Sequence, residues 1–169
     1  MKKVTIISGL IFVIVLMSNI LNAQVQRKEI NGDTYSYNVE DKTIINIKNS
    51  VSFNSLEKRC EQYSVNETES IDDILKSIFS EERIAYLAEN EKVLSLLMFC
   101  TLEGKVISVE FSLINSELMQ EKESKMAITL GDINKLEKRL LRYKFEINSF
   151  CPDIEYYPVM KAVRFDRLL

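Results

Sequence analysis

The sequence predicts an α+β domain in which an antiparallel sheet is built on a central β-hairpin at about residues 93–114. A long helix at about 130–145 packs on one face of this sheet, and a C-terminal strand closes it. Two apolar runs flank Glu103-Gly104, a dipeptide typical of a tight hairpin turn. Apolar residues recur at helical spacing after Thr129, and an extended segment, 159–166, follows a proline.

The register of the predicted hairpin follows from its apolar pattern. A two-residue turn at Glu103-Gly104 pairs Leu102 with Lys105. Every second pair beyond it is apolar on both strands: Cys100–Ile107, Met98–Val109, Leu96–Phe111 and Leu94–Leu113. The opposite face is mixed: Phe99–Ser108, Leu97–Glu110 and Ser95–Ser112. A slip by one residue would mix the two faces, so the register is strongly specified.

The first 23 residues have the pattern of a secretory signal peptide. Lys2-Lys3 precede an uncharged apolar run, and Ala23 precedes the first polar segment. The alternative is an uncleaved anchor, because the apolar run approaches the ~20 residues of a membrane span. Removal of 23 residues from 169 leaves a single domain, 24–169, of 146 residues. Cleavage predicts a periplasmic or extracellular protein with no stable membrane span.

The amino-acid composition limits the kinds of catalysis and binding that the chain can perform. It has no histidine, which excludes Ser-His-Asp and Cys-His hydrolysis and His-ligated metal sites. Loss of Lys2 and Lys3 would take the net charge from −3 to −5, which disfavours nucleic-acid binding. The sequence predicts no catalytic, cofactor-binding or metal-binding residue, although carboxylate and Ser-Lys chemistry stay open.

The remaining elements are predicted in chain order from turns and caps. Residues 24–50 form a β-meander with a hairpin turn at Asn31-Gly32, and residues 64–70 form a loop. Ser70 caps a short helix, and a second helix covers 81–91. Thr129 caps the long helix, with Asp132 in the capping-box position.

Three cysteines leave one thiol over if a disulfide forms. Cys100 lies on the apolar face of the hairpin and is predicted to be a small buried side chain. The pair compatible with exposure is Cys60–Cys151.

The predicted long helix carries a basic stripe beside its apolar one, at Lys135, Lys138, Arg139 and Arg142. One interpretation is a surface for an anionic partner, such as lipid head groups or an acidic protein. The other is an ordinary solvated helix face.

The segment 81–169 contains the runs LEGKVISVEF and YPVMKAVRF in the order helix, hairpin, helix, strand. This order resembles the C-terminal domain of TonB-like energy transducers over about half of the chain. The Pro-rich spacer of that family is absent, which argues against energy transduction. The whole chain is similar to small exported domains of unknown function from Bacteroides-type bacteria, and this resemblance implies an address in the cell envelope.

The TonB-like resemblance implies that the closing strand lies beside the hairpin, at a sheet edge that an envelope protein or peptide can pair with. The predicted function is therefore a non-enzymatic binding or interaction module. The alternative is a hydrolase that uses carboxylates or a Ser-Lys pair. The partner's identity and the oligomeric state stay open.

Overall fold

The computed structural model describes residues 25–51, 63–116, 118, 125–149, 151 and 154–169. Within these ranges the chain forms β1 (Val25–Ile30), β2 (Asp33–Asn38), β3 (Thr43–Asn46), β4 (Tyr63–Glu67), α1 (Ile71–Lys76), α2 (Glu81–Glu89), β5 (Val93–Cys100), β6 (Val106–Ile114), α3 (Leu130–Leu140), β7 (Phe145–Ser149) and β8 (Tyr157–Arg164). A 3-10 helix, Phe165–Arg167, follows β8 directly. The predicted signal segment and Cys60 lie outside the described residues.

Six strands form one antiparallel sheet in the order β1-β2-β3-β6-β5-β8. Strands β4 and β7 pair in a second, two-stranded sheet. The predicted α+β class and the predicted place of the closing strand are confirmed, because β8 pairs with β5 of the hairpin over eight residues. The two edges of the large sheet are therefore β1 and β8.

The central hairpin has the predicted register along most of its length. Met98 faces Val109, Leu96 faces Phe111 and Leu94 faces Leu113. The prediction is wrong beside the turn, because a bulge places Cys100 opposite Val106. The Thr101 N–H donates to the Lys105 carbonyl and the Gly104 N–H to the Thr101 carbonyl, both at 2.9 Å.

The hairpin loop therefore has three residues, 102–104, and not the predicted two. Gly104 adopts φ +83°, the left-handed conformation that ends such a loop and introduces the bulge.

The predicted long helix is wrong in its length. The α3 helix starts as predicted, with a full capping box between Thr129 and Asp132, but it ends at Leu140. The Tyr143 N–H still bonds to the Leu140 carbonyl at 2.9 Å, and the chain then becomes extended. Residues 145–149 form β7, paired with β4, which occupies most of the loop predicted at 64–70.

The core lies on one face of the large sheet, called here the inner face. Strand residues of that face, such as Leu94, Leu96 and Phe111, are fully buried. The α3 helix contacts β6 and β1, and α2 packs against the 3-10 helix. Phe79, two residues before α2, meets Phe165 of the 3-10 helix edge to face, with ring centres 5.5 Å apart. All of these elements share one buried cluster. None of the helices in the described ranges has the length and hydrophobicity of a membrane span.

Candidate functional site

The β8 edge of the large sheet is the first candidate for binding. Pro158 has no N–H, so its backbone must face away from β5, and its carbonyl accepts the Tyr63 hydroxyl at 2.5 Å. Outward and inward backbone groups alternate along an antiparallel strand. The backbone groups of Met160, Ala162 and Arg164 therefore also face outward. Among the described strands, none pairs with this side of β8, and the Met160 side chain is 73% exposed.

On the inner face of the sheet, β8 forms ion pairs through Lys161. The Lys161 ammonium lies 2.8 Å from the Glu67 carboxylate and 3.0 Å from Asp72. Burial acts to lower the pKa of Lys161, but the bonds to these two carboxylates outweigh it and raise the pKa. These ion pairs connect β8 to the end of β4 and to α1.

The opposite edge of the sheet, β1, is protected by charged side chains. Arg27 and Glu29 are exposed, and the Lys28 ammonium lies 5.4 Å from the centre of the Tyr37 ring. Charges on an edge strand discourage pairing with another chain. β8 has comparable features, since Pro158, Lys161 and Arg164 lie on it, so charge does not by itself distinguish the two edges.

A buried polar network joins α3 to the meander of β1, β2 and β3. Glu137 is 1% exposed and accepts hydrogen bonds from the Tyr35 hydroxyl, from Asn46 Nδ2 at 2.9 Å and from Asn49 Nδ2 at 3.1 Å. Burial, followed by the bond to Glu137, raises the pKa of Tyr35 well above its usual range. The phenol therefore stays protonated and donates to the carboxylate.

Asn134 extends the same network towards the surface. It donates to Asp33 at 2.9 Å and to the Tyr35 hydroxyl at 3.0 Å, and it accepts from Asn31 at 3.1 Å. Its hydrogen bond lowers the pKa of Asp33, and Lys138, 3.3 Å away, acts in the same direction. The network is thus internally satisfied, and we assign it a structural role.

A second buried polar contact joins α2 to the start of α3. The Arg83 guanidinium bonds Asp132 through two nitrogens at 2.6 and 3.1 Å and donates to the Ala127 carbonyl at 2.7 Å. Burial acts to raise the pKa of Asp132, but the bonds from Arg83 and Thr129 outweigh it and lower the pKa. This carboxylate is fully engaged by donors and is a poor candidate for acid-base chemistry.

The four residues of the predicted basic stripe have different surroundings. All four are exposed, but Lys138 is paired with Asp33. Arg139 and Arg142 line a small cavity of about 100 Å³ together with Glu69, Ile74 and Tyr143. Lys135 is not among the residues that line it. The anionic-partner role of this stripe stays a prediction.

The cysteines differ in state. Cys100 is a free thiol, and burial raises its pKa to about 12. Cys151 belongs to a disulfide. Its predicted partner Cys60 lies outside the described residues, so the Cys60–Cys151 pairing stays a prediction.

The fold places this chain in the α+β class, as a six-stranded antiparallel sheet with helices on one face. It is similar in structure to a DUF5043 family protein from Bacteroides uniformis, with a TM-score of 0.61 and 17% sequence identity. The match covers 83% of this chain and 85% of that one. No family model and no curated protein matches the sequence.

This likeness shows a shared fold with a Bacteroides domain of unknown function, as the sequence predicts. The likeness indicates no activity for this chain. The resemblance to TonB-like domains stays a prediction.

Within the described residues, no group of three or more histidine, cysteine, aspartate or glutamate side chains is placed to hold a metal ion. Sequence reasoning missed the Glu137 network altogether. The signal for it was present, because Glu137 follows Ile133 by four residues and precedes Leu140 by three, which places a carboxylate inside the apolar stripe of α3.

Proposed function

We propose that this protein is an exported, non-enzymatic binding module of the cell envelope that takes an extended segment of a partner protein onto the edge of β8. The observation that carries the proposal is the outward-facing backbone of Met160, Ala162 and Arg164, on a strand where Met160 is 73% exposed. A strand added there gains main-chain hydrogen bonds, while alternate side chains provide specificity. An apolar residue of the partner is expected opposite Met160. The envelope address rests on the signal-like first 23 residues.

No specific observation supports the alternative that the protein is a hydrolase. The two buried carboxylates of α3, Asp132 and Glu137, are each occupied by several hydrogen-bond donors from the protein itself. A general acid or base has to reach a substrate proton. Neither carboxylate meets that requirement.

The proposal is tested by removing one outward-facing N–H. Ala162→Pro removes the backbone N–H of residue 162, which faces the unpaired side of β8. The backbone of the natural Pro158, four residues earlier, faces the same side of the strand. Ser36→Lys, on the outer face of β2 next to the opposite edge of the sheet, is the surface control. Tagged wild-type protein is incubated with envelope extract, and each captured protein is compared among the three variants.

A partner captured by wild type and by Ser36→Lys, but lost with Ala162→Pro, supports the proposal. Hydrogen exchange of the Met160, Ala162 and Arg164 amides is expected to slow when that partner is added. If Ala162→Pro is folded and still captures the same proteins, or if these amides exchange unchanged in the complex, the edge is not the binding site.

A further inference from the structure

A cleft of about 450 Å³ opens where α2 ends and β5 begins. Ala88 and Val93 form its apolar wall, and Arg164 and Asp166 approach from the end of β8. Its volume lies within the roughly 300–1,000 Å³ of small-molecule sites. The cleft is separate from the open stretch of the β8 edge except at Arg164, and the inference below does not rest on the proposed function.

Two residues that line this cleft have left-handed backbones without being glycine. Glu91 adopts φ 51° and Asn115 adopts φ 56°. Glu91 ends α2 in a Schellman motif: its N–H donates to the Ala88 carbonyl at 3.0 Å, and the Lys92 N–H donates to the Leu87 carbonyl at 2.9 Å. Glycine is the usual residue at that position, and a glutamate there is conformationally costly.

The two strained residues also hold each other. Asn115 Nδ2 donates to the Glu91 carbonyl at 3.3 Å, and the Lys92 ammonium donates to the Asn115 carbonyl. These bonds hold the backbone of the cleft in place through the Glu91 and Asn115 carbonyls. The Glu91 carboxylate takes no part in them. In the described part of the chain, the Glu91 carboxylate accepts no hydrogen bond and forms no salt bridge, but it is close enough to Arg164 that its charge, after the bond to Asp166, acts to raise the pKa of that guanidinium.

The charges of the cleft form two poles. The negative pole combines the Glu91 carboxylate with the C-terminal end of α2, whose last turn contains no basic residue. The positive pole combines the Lys92 ammonium with the Arg164 guanidinium. Arg164 already bonds Asp166 at 2.8 and 3.2 Å, but a guanidinium has five N–H donors, so further donors remain for a ligand.

We propose that this cleft binds a small zwitterion of the amino-acid or dipeptide class. The ligand's ammonium lies at Glu91, its carboxylate lies at Lys92 and Arg164, and a short apolar side chain contacts Ala88 and Val93. A ligand with only one of the two charges leaves one pole unpaired in the cleft. This accounts for a glutamate at a helix end that favours glycine.

The test uses L-alanyl-L-alanine as the probe, with amide resonances of the full chain followed by NMR. Saturable shifts are expected at Glu91, Lys92, Asn115 and Arg164. N-acetylated dipeptide and dipeptide amide, each lacking one charge, are expected to bind at least about tenfold more weakly, the loss of one charged hydrogen bond.

Three substitutions complete the test. Glu91→Gln removes the carboxylate of the negative pole, and Lys92→Met removes one of the two cations of the positive pole. Each substitution is expected to weaken binding at least about tenfold. Glu91→Gly is expected to lose binding while the protein becomes more stable, which separates ligand loss from misfolding. Glu89→Gln, exposed on the same helix and outside the cleft, is the matched control and should bind as wild type.

The proposal is overturned if the dipeptide produces no saturable shift in the wild-type protein. It is also overturned if the N-acetylated dipeptide or the dipeptide amide binds as tightly as L-alanyl-L-alanine, or if Glu91→Gln leaves the affinity unchanged.

Discussion

Replacing Gly104 with alanine is expected to destabilise the protein far more than the same change at Gly32. Both glycines have a positive φ, +83° and +81°. A Cβ on Gly32 meets no atom within 4 Å, whereas a Cβ on Gly104 would lie 1.9 Å from the Phe145 carbonyl oxygen. The Phe145 N–H also donates to the Gly104 carbonyl at 2.9 Å, so the clash breaks a bond between the hairpin loop and β7.

The magnitudes separate the two variants. The left-handed conformation costs alanine about 1–2 kcal/mol at either site. At Gly104 the forced backbone shift adds about 1–3 kcal/mol, and the weakened hydrogen bond adds about 1 kcal/mol. We expect Gly32→Ala to cost about 1–2 kcal/mol and Gly104→Ala about 3–6 kcal/mol, a large part of a typical domain's stability of roughly 5–15 kcal/mol.

Urea unfolding followed by circular dichroism measures both values, and an unchanged m-value shows that the same transition is compared. If Gly104→Ala lies within about 1 kcal/mol of Gly32→Ala, the close contact between the hairpin loop and Phe145 does not exist as described.

Four further outcomes follow from the structure. Glu91→Gly should raise the urea midpoint, corresponding to about 1 kcal/mol, because glycine relieves the left-handed strain at the end of α2; a lower midpoint would contradict the Schellman geometry. Tyr35→Phe should cost about 1–3 kcal/mol by removing a donor to a buried carboxylate, while Tyr37→Phe, which keeps the ring, should change stability by only a few tenths of a kcal/mol. The lowered pKa of Asp132 contributes stability above its ordinary value of 3.8, and this stability is lost as the pH falls through the folded-state pKa; in Asp132→Asn, acid titration of stability should lose that component. Cys100 should not react with a thiol reagent in the native protein, since burial raises its pKa to about 12, and should react after denaturation without reductant.

The middle of the hairpin was predictable because period-two alternation on both strands leaves one register in which apolar residues meet. The turn was not, because Glu103-Gly104 fits both a two-residue and a three-residue loop. The loop length depends on contacts with β7 and the residue before it. The Phe145 N–H donates to the Gly104 carbonyl, and Lys105 forms an isolated β-bridge with Lys144. Those contacts lie about 40 residues along the chain, beyond the reach of a local turn rule.

The length of α3 was mispredicted for a similar reason. Tyr143 follows the helical spacing of Leu136 and Leu140, and it is buried as that pattern requires. Phe145 and Ile147 also alternate, but a four- or five-residue alternation cannot be told from the end of a helix by periodicity alone. The decision came from β4, a polar strand with which β7 pairs over five residues.

The Glu137 network shows what a single sequence leaves open about packing. Asn46 follows Ile44 by two residues and therefore faces inward, and Glu137 lies within the apolar stripe of α3, so the burial of each was predictable. Their meeting was not, because Glu137 is 91 residues from Asn46 and 102 from Tyr35. Removal of one donor would leave the buried Glu137 carboxylate with fewer hydrogen bonds to compensate for its burial, whereas apolar replacement of the whole group at equal volume would be nearly neutral. We therefore interpret the network as fixing how α3 lies across the meander, since a shift of the helix would separate Glu137 and Asn134 from their partners on β2 and β3.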